Sequence, residues 1–444
     1  MASRFQSLQT VFWLFLGNAV YNTARKSLSV ASPLLMDELN FSKMEIGSIT
    51  SSFTLCYGLS KFIGGVLSDM FSNKVLFTAG LFCAGLTQFI FGASSSLTIF
   101  CLVWAVNGLV QGVGWPALSG IVLRWFPKEQ RGRAFAVLTA SGNLGLVAAP
   151  ALLSRAMAAA GGGWRGGFYA EGALCAAVAA LGFLFLRDAP PAPAAGKAEG
   201  AAAAGAARQQ QAPAVTVPTD GAAGGARKPG VAAVFMEHIV GRPLFWALCV
   251  ADVANYLAIK TLSDWAALYG IEARGMDRAA ALGLVAALEL GGVAGNVVSG
   301  VASDALGGRR RLAAALCAGA ALPAFAAYLA QTLGPRWDLP LLVVVGAGVN
   351  GPRTLGPVAM REGIAPSAGG TAAGLMGLAG QLGATLAGAP VGLLAERHGW
   401  EAAMALVAAC MGLVVALYCA LALGEGGGRK EEEEEGGKKK KKKD

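Results

Sequence analysis

The sequence predicts an all-α membrane protein with twelve transmembrane helices in two six-helix bundles. Three observations carry that expectation. Of the 444 residues, 55% are hydrophobic and 14% charged, against about 25% charged in an ordinary soluble domain. Apolar segments long enough to cross a bilayer, about 20 residues, occur twelve times along the chain. Landmarks of the first six recur in the last six at a nearly constant offset.

In chain order, the first segment, 8–33, carries Tyr21 and the adjacent pair Arg25-Lys26 near its middle, with no acid in its first two-thirds. Each such cation costs about 2.5–3.5 kcal/mol at a helix centre, and is kept where it meets a wet cavity, an acid or an anionic ligand. Segment 44–67 holds Tyr57 and Lys61 and runs into Gly65-Val66-Leu67-Ser68-Asp69. After 74–93, segment 97–120 places Asn107, Gln111 and Trp115 at four-residue spacing, hence on one helix face. Segment 134–157 has a polar spot at Ser141 and Asn143, and Gly163-Trp164 precedes 166–186. Residues 1–187 are thus expected to form the N-terminal bundle. Residues 188–243 are rich in Ala, Pro, Gly and Gln without a hydrophobic period, which reads as a mostly disordered cytosolic linker.

The C-terminal bundle, 244–423, begins with 244–270, which contains Asp252, Lys260 and Asp264. Segment 280–302 holds Glu289 ahead of Gly291-Gly292. Next come 311–330, then 339–360 with Asn350-Gly351-Pro352-Arg353, 370–393 with Gln381, and 401–423. Residues 424–444, with five Glu and six consecutive Lys, read as a disordered charged tail. The abundant Gly and Ala permit close helix contact in lipid. The eight Cys, scattered without CxxC spacing, read as small apolar residues rather than metal ligands or disulfides. No cleavable leader is visible, so the first span is expected to act as its own targeting signal.

The stretch Gly65–Asp69 returns as Gly300-Val301-Ala302-Ser303-Asp304, 235 residues on, and Gly163-Trp164 returns as Gly399-Trp400, 236 on. Pro127 with Gly132 returns as Pro366 with Gly370, at an offset near 238. Duplicated halves of this kind build transporters whose substrate site lies at the midplane between them. Lys74, Arg124, Lys128, Arg131, Arg133, Arg309–Arg311 and Arg361 gather in loops on one side. By the positive-inside rule, both termini and the linker are then cytosolic. Of the 36 Lys and Arg behind the net charge of +9, six are the run Lys438–Lys443 and others flank apolar segments, so the charge points to a membrane rather than to nucleic acid. No cofactor, metal or catalytic constellation is visible, and an enzyme is not expected.

The Gly-x-Leu-x-Asp signature at 65–69 and its echo at 300–304 resemble the loop motifs of the major facilitator superfamily, which implies the major facilitator fold. In that family the motif acts as a conformational latch, so Asp69, Asp304, Arg124 and Glu289 are gating candidates. A second resemblance rests on Ile49-Thr50-Ser51-Ser52, Tyr57, Ser60-Lys61-Phe62, Asn107-Gly108-Leu109, Gln111-Gly112 and Gly114-Trp115-Pro116. It continues through Leu123-Arg124-Trp125-Phe126, Lys260-Thr261, Asp264-Trp265 and Ala287-Leu288-Glu289. These are similar to the organophosphate:phosphate antiporters, and within them to the endoplasmic-reticulum glucose-6-phosphate translocases. Departures are Ala24 in place of Asn, Ala373 near an expected His, Gln381 in place of Asn, and the extra cation Arg353. Asn350-Gly351-Pro352 is closer to glycerol-3-phosphate permeases.

The resemblance implies exchange of a phosphorylated sugar, glucose 6-phosphate first, for inorganic phosphate. Arg25, with Lys26, and Lys260 would hold the phosphate, one basic site from each half. The residues agree, since Lys260 lies about as deep in its span as Arg25 in the equivalent one. A second role for Lys260 stands beside this, pairing with Asp264 one turn on. Tyr21, Tyr57, Gln111, Trp115, Asn143, Asp264 and Gln381 complete the candidate substrate site. Glu289 either pairs with a basic residue of the other half or carries a proton. The alternatives are a proton-coupled transporter of another organic anion, such as glycerol 3-phosphate, and a non-transporting sugar-phosphate sensor. The expected partners are phosphorylated sugar, inorganic phosphate and membrane lipid. The ending Lys441-Lys442-Lys443-Asp444 matches a dilysine signal read by coat proteins, which suggests the endoplasmic reticulum membrane; plasma membrane and plastid envelope are the alternatives.

Overall fold

The structure is a computed structural model that describes residues 4–190, 241–364 and 369–440, of which 4, 5, 62, 65, 66, 69, 128, 129, 132, 133, 136, 361, 369–371, 373 and 424–440 are described by backbone alone. Its helices are α1 Arg4–Leu39, α2 Lys43–Met70, α3 Asn73–Ala93, α4 Leu97–Gly112, α5 Gly114–Trp125, α6 Lys128–Ala159 and α7 Trp164–Phe185. The second half has α8 Pro243–Glu272, α9 Arg278–Ala305, α10 Arg310–Ala330, α11 Asp338–Gly363, α12 Gly369–Leu386 and α13 Ala389–Lys440. No strand occurs among the described residues. Local signals explain several boundaries. Ser42 and Glu45 form a reciprocal capping box at the start of α2, and Asp277 caps α9 by accepting from the Ala280 amide, each satisfying an orphan helix donor.

Each half makes six passes. α4 and α5 form one pass broken at Val113, and α12 joins the first part of α13 to form another. Gly399, at φ 78°, turns the chain inside α13 and separates the last two passes, a conformation that suits glycine. Eight stretches are long and apolar enough to span by composition alone, and one of them, Gly374–Leu423, covers two passes. The other three passes, α1, α2 and α11, carry Arg25, Lys26, Lys61 and Arg353. Most of the linker, 191–240, lies outside the described residues. The tail expected to be disordered from 424 is helical as far as Lys440, where its Glu and Lys, good helix formers, continue the last pass. Lys441–Asp444, the dilysine pattern, lies outside the described residues.

The two halves are built alike. A Cβ on Gly108 would lie 2.4 Å from the Phe53 carbonyl, so α4 meets α2 backbone to backbone. In the second half, Cβ atoms on Gly291 and Gly295 would lie 2.1 Å from the Val343 and Ala347 carbonyls, so α9 meets α11 in the same way. Small residues permit such approach where lipid offers no hydrophobic drive.

The cores fix which end is closed. One apolar cluster contains residues of both halves, including Leu35, Ile49, Phe91, Trp104, Trp265, Val391 and Trp400. At the other end each half keeps its own cluster, around Leu14, Phe77 and Trp125 in one and Phe245, Ala314 and Tyr418 in the other. Polar ties follow the same division. Lys43 pairs with Glu272 at 2.9 Å. Ser51 Oγ donates to the Thr385 carbonyl at 2.8 Å and accepts from the Ala389 amide at 2.9 Å. Among the described residues, no hydrogen bond or ion pair joins the halves at the end that carries the termini. A cavity therefore opens toward that end.

Candidate substrate-binding site

Helix geometry turns successive residues by about 100°, and this separates the two central cations of α1. Arg25 faces the cavity within the N-terminal half. Its Nε donates to Gln111 Oε1 at 2.6 Å, and Gln111 Nε2 donates to Asn107 Oδ1 at 2.9 Å. The α4 face predicted from four-residue spacing thus orients the guanidinium. Arg25 Cζ lies 4.5 Å from the centre of the Tyr57 ring, and Lys61 Nζ lies 4.8 Å from the same ring. Two cations therefore share one aromatic platform, an attraction that strengthens where water is scarce. Lys61 is exposed, and its place over Tyr57 turns it inward along α2 and not out to the membrane surface.

Lys26 crosses to the other half and is only 3% exposed. Its Nζ lies 2.8 Å from Glu289 Oε1 and 3.8 Å from Asp264 Oδ1, and it donates to both the carbonyl and the hydroxyl of Ser263. The Ser263 hydroxyl in turn donates to Glu289. Lys260, part-exposed, pairs with Asp264 at 2.7 Å. Lys260, Ser263 and Asp264 fall on one face of α8, so a single helix stripe organises the network. It ties α1 to α8 and α9 at the floor of the cavity. Such a buried pair contributes little net stability, but removing one partner leaves a charge stranded at a cost of about 3–5 kcal/mol.

On the wall opposite Arg25, α11 presents Arg353, exposed within a run of buried neighbours. Its Nη1 donates to Asn350 Oδ1 at 3.1 Å and its Cζ lies 5.6 Å from the Tyr256 ring centre. Gln381 packs over Gly58 from across the halves; a Cβ there would lie 3.0 Å from the Gln381 Cβ. Asp252 is 5% exposed and wedged against Gly380.

Three sequence candidates lie elsewhere. Tyr21 is 2% exposed, and its hydroxyl donates to the Phe77 carbonyl at 2.8 Å. A buried phenol takes the nearest acceptor, so Tyr21 belongs to the packing of α1 on α3, not to the substrate site. Trp115 is 41% exposed and rests near Phe135 of α6 at 6.3 Å between ring centres; the break at Val113 takes it out of register with Asn107 and Gln111. Asn143 is half-buried on α6, and the polar contact there belongs to its neighbour, Asn18 Nδ2 donating to Ser141 Oγ at 3.0 Å. Of the gating candidates, Asp304 pairs with Arg310 at 2.7 Å, Arg310 reaches Glu362 at 3.5 Å, and Arg124 pairs with Asp188 at 3.3 Å. Asp69 ends α2, and its side chain lies outside the described residues.

Sequence reasoning missed Ser263, Tyr256 and Glu171. Asp252, Tyr256, Lys260 and Asp264 repeat every four residues along α8, a polar stripe that could have flagged Tyr256. Glu171 is buried on α7 and accepts from Thr23 Oγ1 at 2.5 Å, and nothing in its apolar sequence context announces it.

The chain is similar to known transport proteins along most of its length. It is 29% identical to a probable hexose phosphate transport protein of Chlamydia pneumoniae, over 94% of this chain and 91% of that one. It is also 29% identical to the membrane sensor protein UhpC of Salmonella typhimurium, over 90% and 88%. Among solved structures, a bacterial homologue of the human lysosomal transporter Spinster, inward-facing and unoccupied, superposes with a TM-score of 0.68 at 16% identity. That superposition covers 95% of this chain and 96% of the other, and shows the shared fold. The family model described as Major Facilitator Superfamily matches residues 14–388, and with its twelve passes in two like halves, the chain belongs to that superfamily.

Proposed function

We propose that this protein exchanges a phosphorylated sugar, glucose 6-phosphate first among them, for inorganic phosphate by alternating access. The observation that supports this best is the pair of cations on Tyr57. Among the described residues, neither Arg25 nor Lys61 has a carboxylate within ion-pair distance. A phosphate dianion supplies the missing charge. It also matches the planar fork of Arg25, which Gln111 holds in place.

In this reading Lys260 adds a contact from the second half when phosphate draws it from Asp264. Asp264 is then free to bind Lys26 more closely, and the Lys26–Glu289 tie at the cavity floor loosens or re-forms as the halves rock. Glu289 and Asp264 serve as gating partners, and Asp304 with Arg310 as a latch at the open end. The relatives named for hexose phosphate transport accord with the substrate class. Both termini are assigned to the cytosol, so the cavity is inward-open, and the membrane to the endoplasmic reticulum.

Proteoliposomes loaded with phosphate are expected to take up labelled glucose 6-phosphate. Saturable binding without flux would replace the proposal with a sensor, as one relative is named.

A further inference from the structure

Arg353 has no counterpart in the first half of the repeat, and a phosphate-holding pair does not need it. It sits on α11 in the interior, with its Cζ 5.6 Å from the Tyr256 ring centre on α8. It is also held. Asn350 accepts from Arg353 through Oδ1 while its Nδ2 donates to the Gly346 carbonyl at 2.8 Å. The Asn350 amide packs on Gly292, where a Cβ would lie 2.8 Å away. Both ends of that amide are committed, so the guanidinium is presented to the cavity in one orientation.

The charges on the cavity wall do not balance for a simple sugar phosphate. Lys26 and Lys260 are matched by Glu289 and Asp264. Arg25, Lys61 and Arg353 have no carboxylate in ion-pair range among the described residues. Asp252, on the same stripe of α8 as Tyr256, is buried against Gly380 and pairs with none of them among the described residues. A phosphate monoester dianion answers two of the three cations. The third is left, on the opposite wall, where the far end of the substrate would lie.

We infer that Arg353 is a specificity-determining residue that takes a second anionic group, so the favoured substrates are phosphate monoesters that also carry a carboxylate. This rests on the phosphate-exchange reading and narrows its substrate class, placing carboxylated phosphate esters ahead of neutral sugar phosphates such as glucose 6-phosphate. Arginine suits the task because its fork engages both oxygens of a carboxylate, and a neutral hydroxyl at that place leaves a desolvated cation without its partner.

The test uses two three-carbon substrates that differ only at that end, 3-phosphoglycerate and glycerol 3-phosphate. Each is measured as a competitor of phosphate self-exchange in phosphate-loaded proteoliposomes. The native protein is expected to prefer 3-phosphoglycerate by roughly 10–100-fold, the size of one charged hydrogen bond. Arg353→Gln should bring the ratio to near one at whatever level of phosphate self-exchange remains, and Arg353→Lys should restore part of it. Equal affinities in the native protein, or an unchanged ratio in Arg353→Gln, overturn the inference and leave phosphate exchange standing. Absence of phosphate self-exchange in the native protein overturns both. Thermal stabilisation of the purified protein by the two ligands gives the same ratio without transport, so a poorly reconstituted variant is still scored.

Discussion

Arg25 and Lys26 are neighbours in sequence and strangers in space. One is an open cavity-facing cation and the other a buried structural one, because a helix turns successive side chains apart. The sequence announced the pair, since two charges in a spanning segment are too costly to be idle. It could not divide their tasks, which depend on Gln111 and Tyr57 on one side and on Ser263 and Glu289 on the other. Tyr21 shows the same limit, one turn before Arg25 yet directed into α3. The division predicts different failures. Arg25→Ala should abolish phosphate exchange while the protein still inserts and melts cooperatively, and Arg25→Lys should retain little, having lost the fork. Lys26→Ala strands Glu289 and should lower stability by about 3–5 kcal/mol, visible as early melting before any assay of flux. Near-normal exchange in Arg25→Ala would remove the site from this face of α1.

At the scale of elements, the passes were legible from apolar length and the halves from their repeated landmarks. The interruptions do not show in apolar length, which runs on through them, but in the residues that punctuate a helix: Gly112, Gly114 and Pro116 flank the break at Val113, and Gly388 and Pro390 mark the bend between α12 and α13. Glycine marks where passes of opposite halves touch. A Cβ on Gly47 would lie 2.5 Å from the Gly388 carbonyl, and one on Gly392 would lie 2.4 Å from the Lys43 carbonyl. Backbone cannot yield as a side chain can, so Gly47→Val should hold this end of α2 away from α13. The outcome is a shift toward the form open on the side away from the termini. Hydrogen–deuterium exchange should rise together in 43–51 and 385–392, with melting of the rest of the protein little changed. Exchange that stays low in both segments would mean that this contact does not set the closed end.

For the whole molecule, the apolar clusters describe a device hinged at its cavity floor. One core is shared at the closed end, and two separate cores lie where the halves stand apart. No sequence pattern states which end is closed, because alternating access requires a chain that satisfies both arrangements. What the sequence does state is the charge the cavity must manage. Arg25, Lys61 and Arg353 are tolerable while the cavity is wet. Closing the open end around them without an anion removes that water, and each unpaired cation then costs several kcal/mol. On the exchange reading, a phosphate group offsets the penalty at Arg25 and Lys61 in either direction, whereas an empty cavity offsets none of it. Return of the empty form should therefore be slower than exchange by roughly 100-fold or more, since about 3 kcal/mol corresponds to that factor. Liposomes without internal phosphate are expected to take up little sugar phosphate, and an imposed proton gradient should not rescue them, because protons do not neutralise arginine. Internal phosphate should restore uptake, with phosphate released as sugar phosphate enters. Robust uptake into phosphate-free liposomes driven by the proton gradient alone would instead assign Glu289 or Asp264 a proton-carrying role, and the cavity cations would then not be what couples the two fluxes.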